Sequence, residues 1–368
     1  MNLTLSKKVY GDTNFITGIR AFAVLAVVLI HAGGAGFREL GTIGNNIADF
    51  GRTGVYVFFV ISGFSVASSY ANSSSYFDYL NKRLWRVAPL YYFWLAASIL
   101  LGITATYWQD EFSVGIDAYN LLLHVLFVGW FDYRVTNSII GVEWSISIEV
   151  FWYFLVPVML VAFKSNRKTL GLLVIALLIY IFSKKFPSIL PVEEENAALA
   201  MHWSPIPYVL SYALGITAYR FRKHVRHTNG FGNFVLVLSI VFIGIYVSRP
   251  GLFAQIYLDE AVFISLITTV LILFGTNRSL LFRLIFENSA TQFIGVVSYG
   301  IYLSHFPLLA LISGYDLPAF GNPLARFFLV AGSAILASTL TYYIFELRCA
   351  SIGRNFWKRV QTSTKATS

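Results

Sequence analysis

The sequence predicts an all-α, polytopic membrane helix bundle of about ten transmembrane helices, and three observations carry that prediction. Hydrophobic residues fill 57% of the 368 positions and charged ones only 12%, about half the charged share of a soluble domain. A core of this length cannot absorb so much apolar surface, so lipid must cover the excess. Apolar runs of ~20 residues, the length a bilayer span requires, recur along the whole chain. The loops between those runs alternate between basic and acidic, the pattern that orients a membrane protein.

In order, the predicted spans are roughly 15–33, 52–70, 88–106, 142–163, 169–186, 204–220, 232–249, 260–276, 291–312 and 324–346. Tyr119–Phe131 is apolar but too short to cross. The basic loops are Lys82-Arg83-Arg86, Lys164-Arg167-Lys168, Arg220-Arg222-Lys223-Arg226, Arg278-Arg283 and Arg348-Arg354-Lys358-Arg359. The acidic ones are Asp110-Glu111-Asp117 and Glu193-Glu194-Glu195. With the basic loops in the cytoplasm, every span alternates correctly only if residues 119–131 form a re-entrant or interfacial helix on the outer side. Ten crossings satisfy the charges and eleven do not. Both termini then lie in the cytoplasm, Lys7 and Lys8 included. The chain is expected to be one domain over 1–368, with short cytoplasmic tails at about 1–14 and 347–368.

The net charge of +9 resembles a nucleic-acid signal, but its distribution over short loops excludes that partner. The single cysteine, Cys349, excludes an internal disulfide and a cysteine metal cluster, and no metal site is expected. Aromatic residues reach 17%, as suits interfacial Trp and Tyr. The first apolar run is followed by further spans, so it is expected to be a retained helix and not a cleaved signal peptide.

Ionisable groups inside spans are costly and mark function by default. Arg20 and His31 in the first span are eleven residues apart, about three helical turns, so both project from one face ~16 Å apart. Arg20 falls near the cytoplasmic surface and His31 in the outer half of the bilayer. The plain alternative is that Arg20 snorkels and His31 is interfacial. Glu149 lies ~10–12 Å down the 142–163 span, close in depth to His31. Glu143, nearer the interface, is expected to be a solvated helix end. His305 is again ~20 Å up its helix, with Tyr302 three residues earlier on the same face. Ser62-Gly63 stands near mid-membrane, where small residues allow close helix approach. Two imidazoles, a carboxylate and a hydroxyl are thus expected at one depth. Arg83 and Arg86 share a face at the predicted mouth of the third span, where two guanidiniums suit phosphate binding. Pro89 is expected at the start of that helix. The plain reading of these arginines is positive-inside anchoring.

Several runs together resemble the acyltransferase-3 family of integral-membrane O-acyltransferases, over nearly the whole chain. They are Gly18-Ile19-Arg20-Ala21 with His31, Gly54-Val55 through Phe58-Phe59-Val60-Ile61-Ser62-Gly63-Phe64, and Arg83-x-x-Arg86 with Pro89. Trp144-Ser145 with Glu149 and Tyr153, and Ser298-Tyr299-Gly300-Ile301-Tyr302-Leu303-Ser304-His305-Phe306-Pro307, complete the set. Each run alone is weak; five in order are specific. Tyr56 stands where the family carries an acid, and Glu346-Leu347-Arg348 replaces its Glu-Arg/Lys-Pro ending.

The resemblance implies transfer of an acyl group, usually acetyl from acetyl-CoA, to a hydroxyl of a cell-envelope carbohydrate such as O-antigen, exopolysaccharide or a lipid-linked glycan. It implies location in the cell membrane. His31 is then expected as the general base, oriented by Glu149 or His305, with Ser62 or Tyr302 as oxyanion candidates. Arg83, Arg86 and Arg20 are expected to bind the CoA phosphates. The alternative is a proton-coupled transporter using His31, Glu149 and His305 as a relay.

Overall fold

The computed structural model describes residues 13–161, 165–225, 228–254, 259–276, 278–315, 317–353 and 355. Lys7, Lys8, Lys164, Arg226, Arg354, Lys358 and Arg359, counted above in the basic segments, lie outside the described residues. Among the described residues every regular element is helical. The principal helices are α1 (Asn14–His31), α2 (Gly54–Ala71), α3 (Tyr76–Leu100), α4 (Ala118–Val125), α5 (Trp144–Val161) and α6 (Asn166–Lys185). They continue as α7 (Glu194–Trp203), α8 (Val209–Arg222), α9 (Asn229–Ser248), α10 (Glu260–Phe274), α11 (Ser289–Val296), α12 (Ser298–Ser313) and α13 (Pro323–Thr341). Four described stretches are long and apolar enough to cross a membrane: Asn14–His31, Gly34–Ala71, Gly230–Ser248 and Pro323–Gly353. The broken pair α11 and α12 makes a fifth if counted as one span. Each of the ten predicted runs carries a helix, and run 119–131 carries the eight-residue α4, ~12 Å long, and a three-residue 3-10 turn at Gly129–Phe131.

The chain falls into two compact units. The first comprises Met1–Ser65 and Ser211–Ser298, and the second comprises Val66–Leu210 and Tyr299–Ser368. In the first, Phe15, Ile16 and Ile19 of α1 enter a core with Val60, Ile61 and Phe64 of α2, Leu271 and Ile272 of α10, and Phe282 and Phe286. Gly63 of α2 lies against α8 so closely that a Cβ there would run into the Tyr212 carbonyl. This is the small-residue packing expected at Ser62-Gly63. Arg222 is no solvated loop charge. It is buried, its Nη1 donates to the carbonyls of Ile272 (2.5 Å) and Gly275 (2.8 Å), and its guanidinium lies 5.1 Å from the centre of the Phe15 ring. It thereby caps carbonyls that α10 leaves unpaired at its C-terminus.

In the second unit α3 departs from the predicted boundaries. It starts twelve residues before position 88, because the Ser75 side chain accepts from the Asp78 backbone N–H and caps it. Asp78 in turn accepts from Ser74 N (2.8 Å) and Ser74 Oγ (3.0 Å) and pairs with Lys82 at 2.8 Å. Pro89 is therefore inside the helix and not at its beginning. Arg83 and Arg86 likewise sit within α3, not at its mouth. The helix stops at Leu100, and Gly102 follows at φ +65. The Tyr79 hydroxyl donates to the Tyr153 carbonyl at 3.1 Å, tying α3 to α5. The Tyr299 hydroxyl donates to the Val87 carbonyl at 2.9 Å, tying α3 to α12.

Candidate functional site

The first unit carries Arg20, His31 and Ser62. Arg20 is half-buried in the second turn of α1, and its Nη2 donates to Ser65 Oγ of α2 at 3.3 Å. His31 is the last residue of α1 and is half-buried. It is followed by an irregular segment in which Gly33, Gly34, Ala35 and Gly36 all have positive φ. Ser62 is buried in α2 beside Gly63.

The second unit carries Arg83, Arg86, Glu149, Tyr302 and His305, and joins most of them into two networks. In one, the Tyr153 hydroxyl donates to Glu149 Oε1 at 2.7 Å, one helical turn away on α5. Over the Tyr153 ring, 5.9 Å from its centre, sits the Arg83 guanidinium, and Arg83 is only 6% exposed. Arg83 thus faces the Glu149 network and not solvent, while Arg86 is exposed. The i,i+3 spacing put both on one helix face; the packing of α5 covers only one of them.

In the other network, Ser145 Oγ donates to the Tyr302 hydroxyl at 2.8 Å. That hydroxyl donates its single proton to the Val142 carbonyl at 2.9 Å. His305 is fully buried one turn along α12. Its Nδ1 lies 2.7 Å from the Tyr302 carbonyl and 3.2 Å from that of Ile301. Carbonyl oxygens only accept, so Nδ1 carries the proton and the neutral ring keeps its basic lone pair at Nε2. The tautomer is set by the backbone of its own helix.

Glu143 is not a solvated end. It is 0% exposed, its Oε1 accepts from the backbone N–H of Ile139 (2.8 Å) and Ile140 (2.9 Å), and its Oε2 from that of Gly141 (2.6 Å). His124 of α4, equally buried, presents Nε2 to Glu143 Oε1 at 3.2 Å while its Nδ1 donates to the Asn120 carbonyl at 2.9 Å. The carboxylate turns inward because the segment before α5 folds inward with it, and three unpaired N–H groups there need an acceptor. Reading each residue by itself missed His124, Glu143, Tyr153 as a link, and Ser145. The usable signal was an acid directly after the apolar run Ile139–Val142 and before Trp144, akin to the signal that marks Glu149.

A family model described as an acyltransferase domain matches residues 13–343. Among curated proteins, the chain is 27% identical over 384 aligned positions to "Putative peptidoglycan O-acetyltransferase YrhL" of Bacillus subtilis (strain 168). That alignment covers 94% of this chain, which spans about half the length of the Bacillus protein (56%). A second relative is "Putative acetyltransferase ORF330" of Acidianus two-tailed virus, 24% identical over 81% of this chain and 83% of its own. No solved structure matches.

Proposed function

Because the chain belongs to the acyltransferase family whose model covers residues 13–343, we propose that it is a membrane O-acyltransferase acting on the cell envelope. It moves an acetyl group from cytoplasmic acetyl-CoA to a hydroxyl of an envelope glycan. The Bacillus relative is named for peptidoglycan, and a glycan polymer of that kind is the acceptor class proposed here. The chain lies in the cell membrane with ten crossings, its Lys- and Arg-rich loops in the cytoplasm, together with the residues before α1 and after α13.

The observation that carries this reading is the pair of polar networks buried among apolar helices. Arg83, Tyr153 and Glu149 form one, and Ser145, Tyr302 and His305 the other. Groups of this kind are expensive in such a setting, and a scaffold has no use for them. Family membership favours acyl transfer over the proton-coupled transporter.

His31, the half-buried last residue of α1, is the proposed base. It takes the proton of the acceptor hydroxyl as that oxygen attacks the thioester carbonyl carbon. The tetrahedral intermediate collapses with cleavage of the C–S bond, and the proton passes to the departing CoA thiolate. His305, its Nδ1–H held by backbone carbonyls, is proposed to act within the second unit, with Nε2 as its basic position. Arg86, exposed on α3, is the proposed contact for the donor phosphates. Arg83, held over Tyr153, serves the Glu149 carboxylate instead. Ser62 is retained as an oxyanion candidate, whereas the Tyr302 proton is committed to Val142.

The test is glycan-dependent CoA release by the purified protein in nanodiscs, with acetyl-CoA and isolated peptidoglycan. Wild type should release CoA, and His31→Ala should lose at least a hundredfold while still binding acetyl-CoA. Retained turnover in that variant would sink the assignment of the base. No acetyl-CoA binding by wild type would sink the acyltransferase reading itself.

A further inference from the structure

Residues 135–143 of the second unit form neither helix nor strand, yet every one of them is buried. Irregular backbone normally runs over a surface, because buried N–H and C=O groups must be paired. Here the pairing comes from elsewhere in the unit and from Asn137 and Glu143 of the segment itself. Ala105 N donates to the Ile139 carbonyl at 3.1 Å and Gln109 Nε2 to the Ser138 carbonyl at 2.7 Å. Trp144 N donates to Asn137 Oδ1 at 3.3 Å. The three consecutive N–H groups of Ile139, Ile140 and Gly141 all go to Glu143.

The output of this device points at one place. Val142, between Gly141 and Glu143, offers its carbonyl to the Tyr302 hydroxyl. Gly141 stands at φ +96, and a Cβ there would meet the Phe306 ring at 2.5 Å. Phe306 and Tyr302 flank His305, and Ser145, two residues after Glu143, donates to the same Tyr302 hydroxyl. A fully buried carboxylate is a costly way to stabilise a loop, and apolar groups often serve stability as well or better. What it supplies is a single arrangement of the chain.

We propose that Glu143 is a positioning residue for acyl transfer, fixing the Val142 carbonyl and through it the Tyr302–His305 face of α12. The proposal rests on the acyltransferase reading above. It adds a reason for a buried acid that no step of the chemistry consumes. The Glu143→Gln side chain keeps its size but replaces one acceptor oxygen with an NH2 facing backbone N–H groups, so the segment must shift.

The experiment is a double-mutant cycle on CoA release in nanodiscs, with acetyl-CoA and isolated peptidoglycan. The variants are Glu143→Gln, Tyr302→Phe and both together. Each single change should lower kcat at least tenfold with the acetyl-CoA KM within twofold. The double variant should be no slower than the slower single, because both act through the Val142 carbonyl. Multiplying losses would overturn the proposal while leaving the acyltransferase reading intact, as would a Glu143→Gln defect confined to KM or to thermal stability. Absence of turnover in wild type would remove the reading beneath it as well. If Glu143→Gln does not fold, Glu143→Asp, which keeps the carboxylate but draws it back from the three N–H groups, enters the same cycle. A smaller kcat loss that is masked by Tyr302→Phe is expected of it, and an additive one would overturn the proposal.

Discussion

Tyr153→Phe isolates one bond in the Glu149 network. The Tyr153 side chain is 1% exposed, its hydroxyl donates to Glu149 Oε1 at 2.7 Å, and its ring lies under Arg83. Phenylalanine keeps the ring, and with it the packing and a face for the guanidinium, and removes only the donor. A hydrogen bond to a charged group contributes ~1.5–3 kcal/mol. If the carboxylate must hold its place in the transition state, kcat/KM should fall by the corresponding factor, ~10–150-fold at 1.4 kcal/mol per tenfold. Glu149→Gln supplies the contrast, because its amide oxygen still accepts from Tyr153 while the charge is gone. A loss in Glu149→Gln larger than in Tyr153→Phe would assign the function to the charge, and equal losses to the position. The assay is CoA release in nanodiscs, with thermal unfolding followed on the same samples to separate turnover from folding. Turnover of folded Tyr153→Phe within twofold of wild type would refute the reasoning, since the tie between Tyr153 and Glu149 would then be packing alone.

The remaining predictions concern stability. Gly63→Ala should lower the thermal midpoint, because the new Cβ collides with the Tyr212 carbonyl and forces α2 and α8 apart; overpacking of this kind costs ~1–3 kcal/mol or more, and an unchanged midpoint would contradict the close approach. At Asp78, burial pushes the carboxyl up, but the Lys82 ammonium and the Ser74 N–H and O–H outweigh it and hold the carboxyl below its usual range. With the folded value depressed, its contribution is complete above about pH 4, the unfolded value, and is lost as pH falls through the lower folded one. Wild type should therefore lose more stability than Asp78→Asn on acidification below about pH 4, and parallel pH curves for the two would count against the capping role.

The helices were legible because an apolar run of span length needs nothing beyond itself to be recognised, as α1 and α9 illustrate. The start of α3 was not. Its cap, Ser75, stands well before the first sustained apolar run, and Lys82, Arg83 and Arg86 break the hydrophobic pattern in its first half. Pro89 then looked like a beginning, although a proline costs a helix interior one hydrogen bond and not the helix itself when neighbours pack around it. His31, Glu149 and His305 were legible as ionisable groups in apolar stretches. Arg222 was misread as a loop charge for the converse reason. The carbonyls it caps are some fifty residues away, and nothing local announces them.

Glu143 and Arg83 show where such reading ends. The sequence marks a buried charge by its cost, since an acid or a guanidinium among apolar residues must be answered by a partner. It does not say what answers. Thr136-Asn137-Ser138 reads as a polar turn, and an acid five residues after Ser138 reads as the solvated start of the next helix. The segment is buried because Gln109, Asn120 and Tyr302, all distant in sequence, complete its polar groups. For the two arginines the outcome was likewise decided outside their own helix: Tyr153 of α5 covers Arg83, and nothing of α5 reaches far enough to bury Arg86. Equal spacing therefore does not mean equal function. The buried arginine is committed to a carboxylate network of the second unit, and the exposed one is the member of the pair that the proposal gives to the donor phosphates.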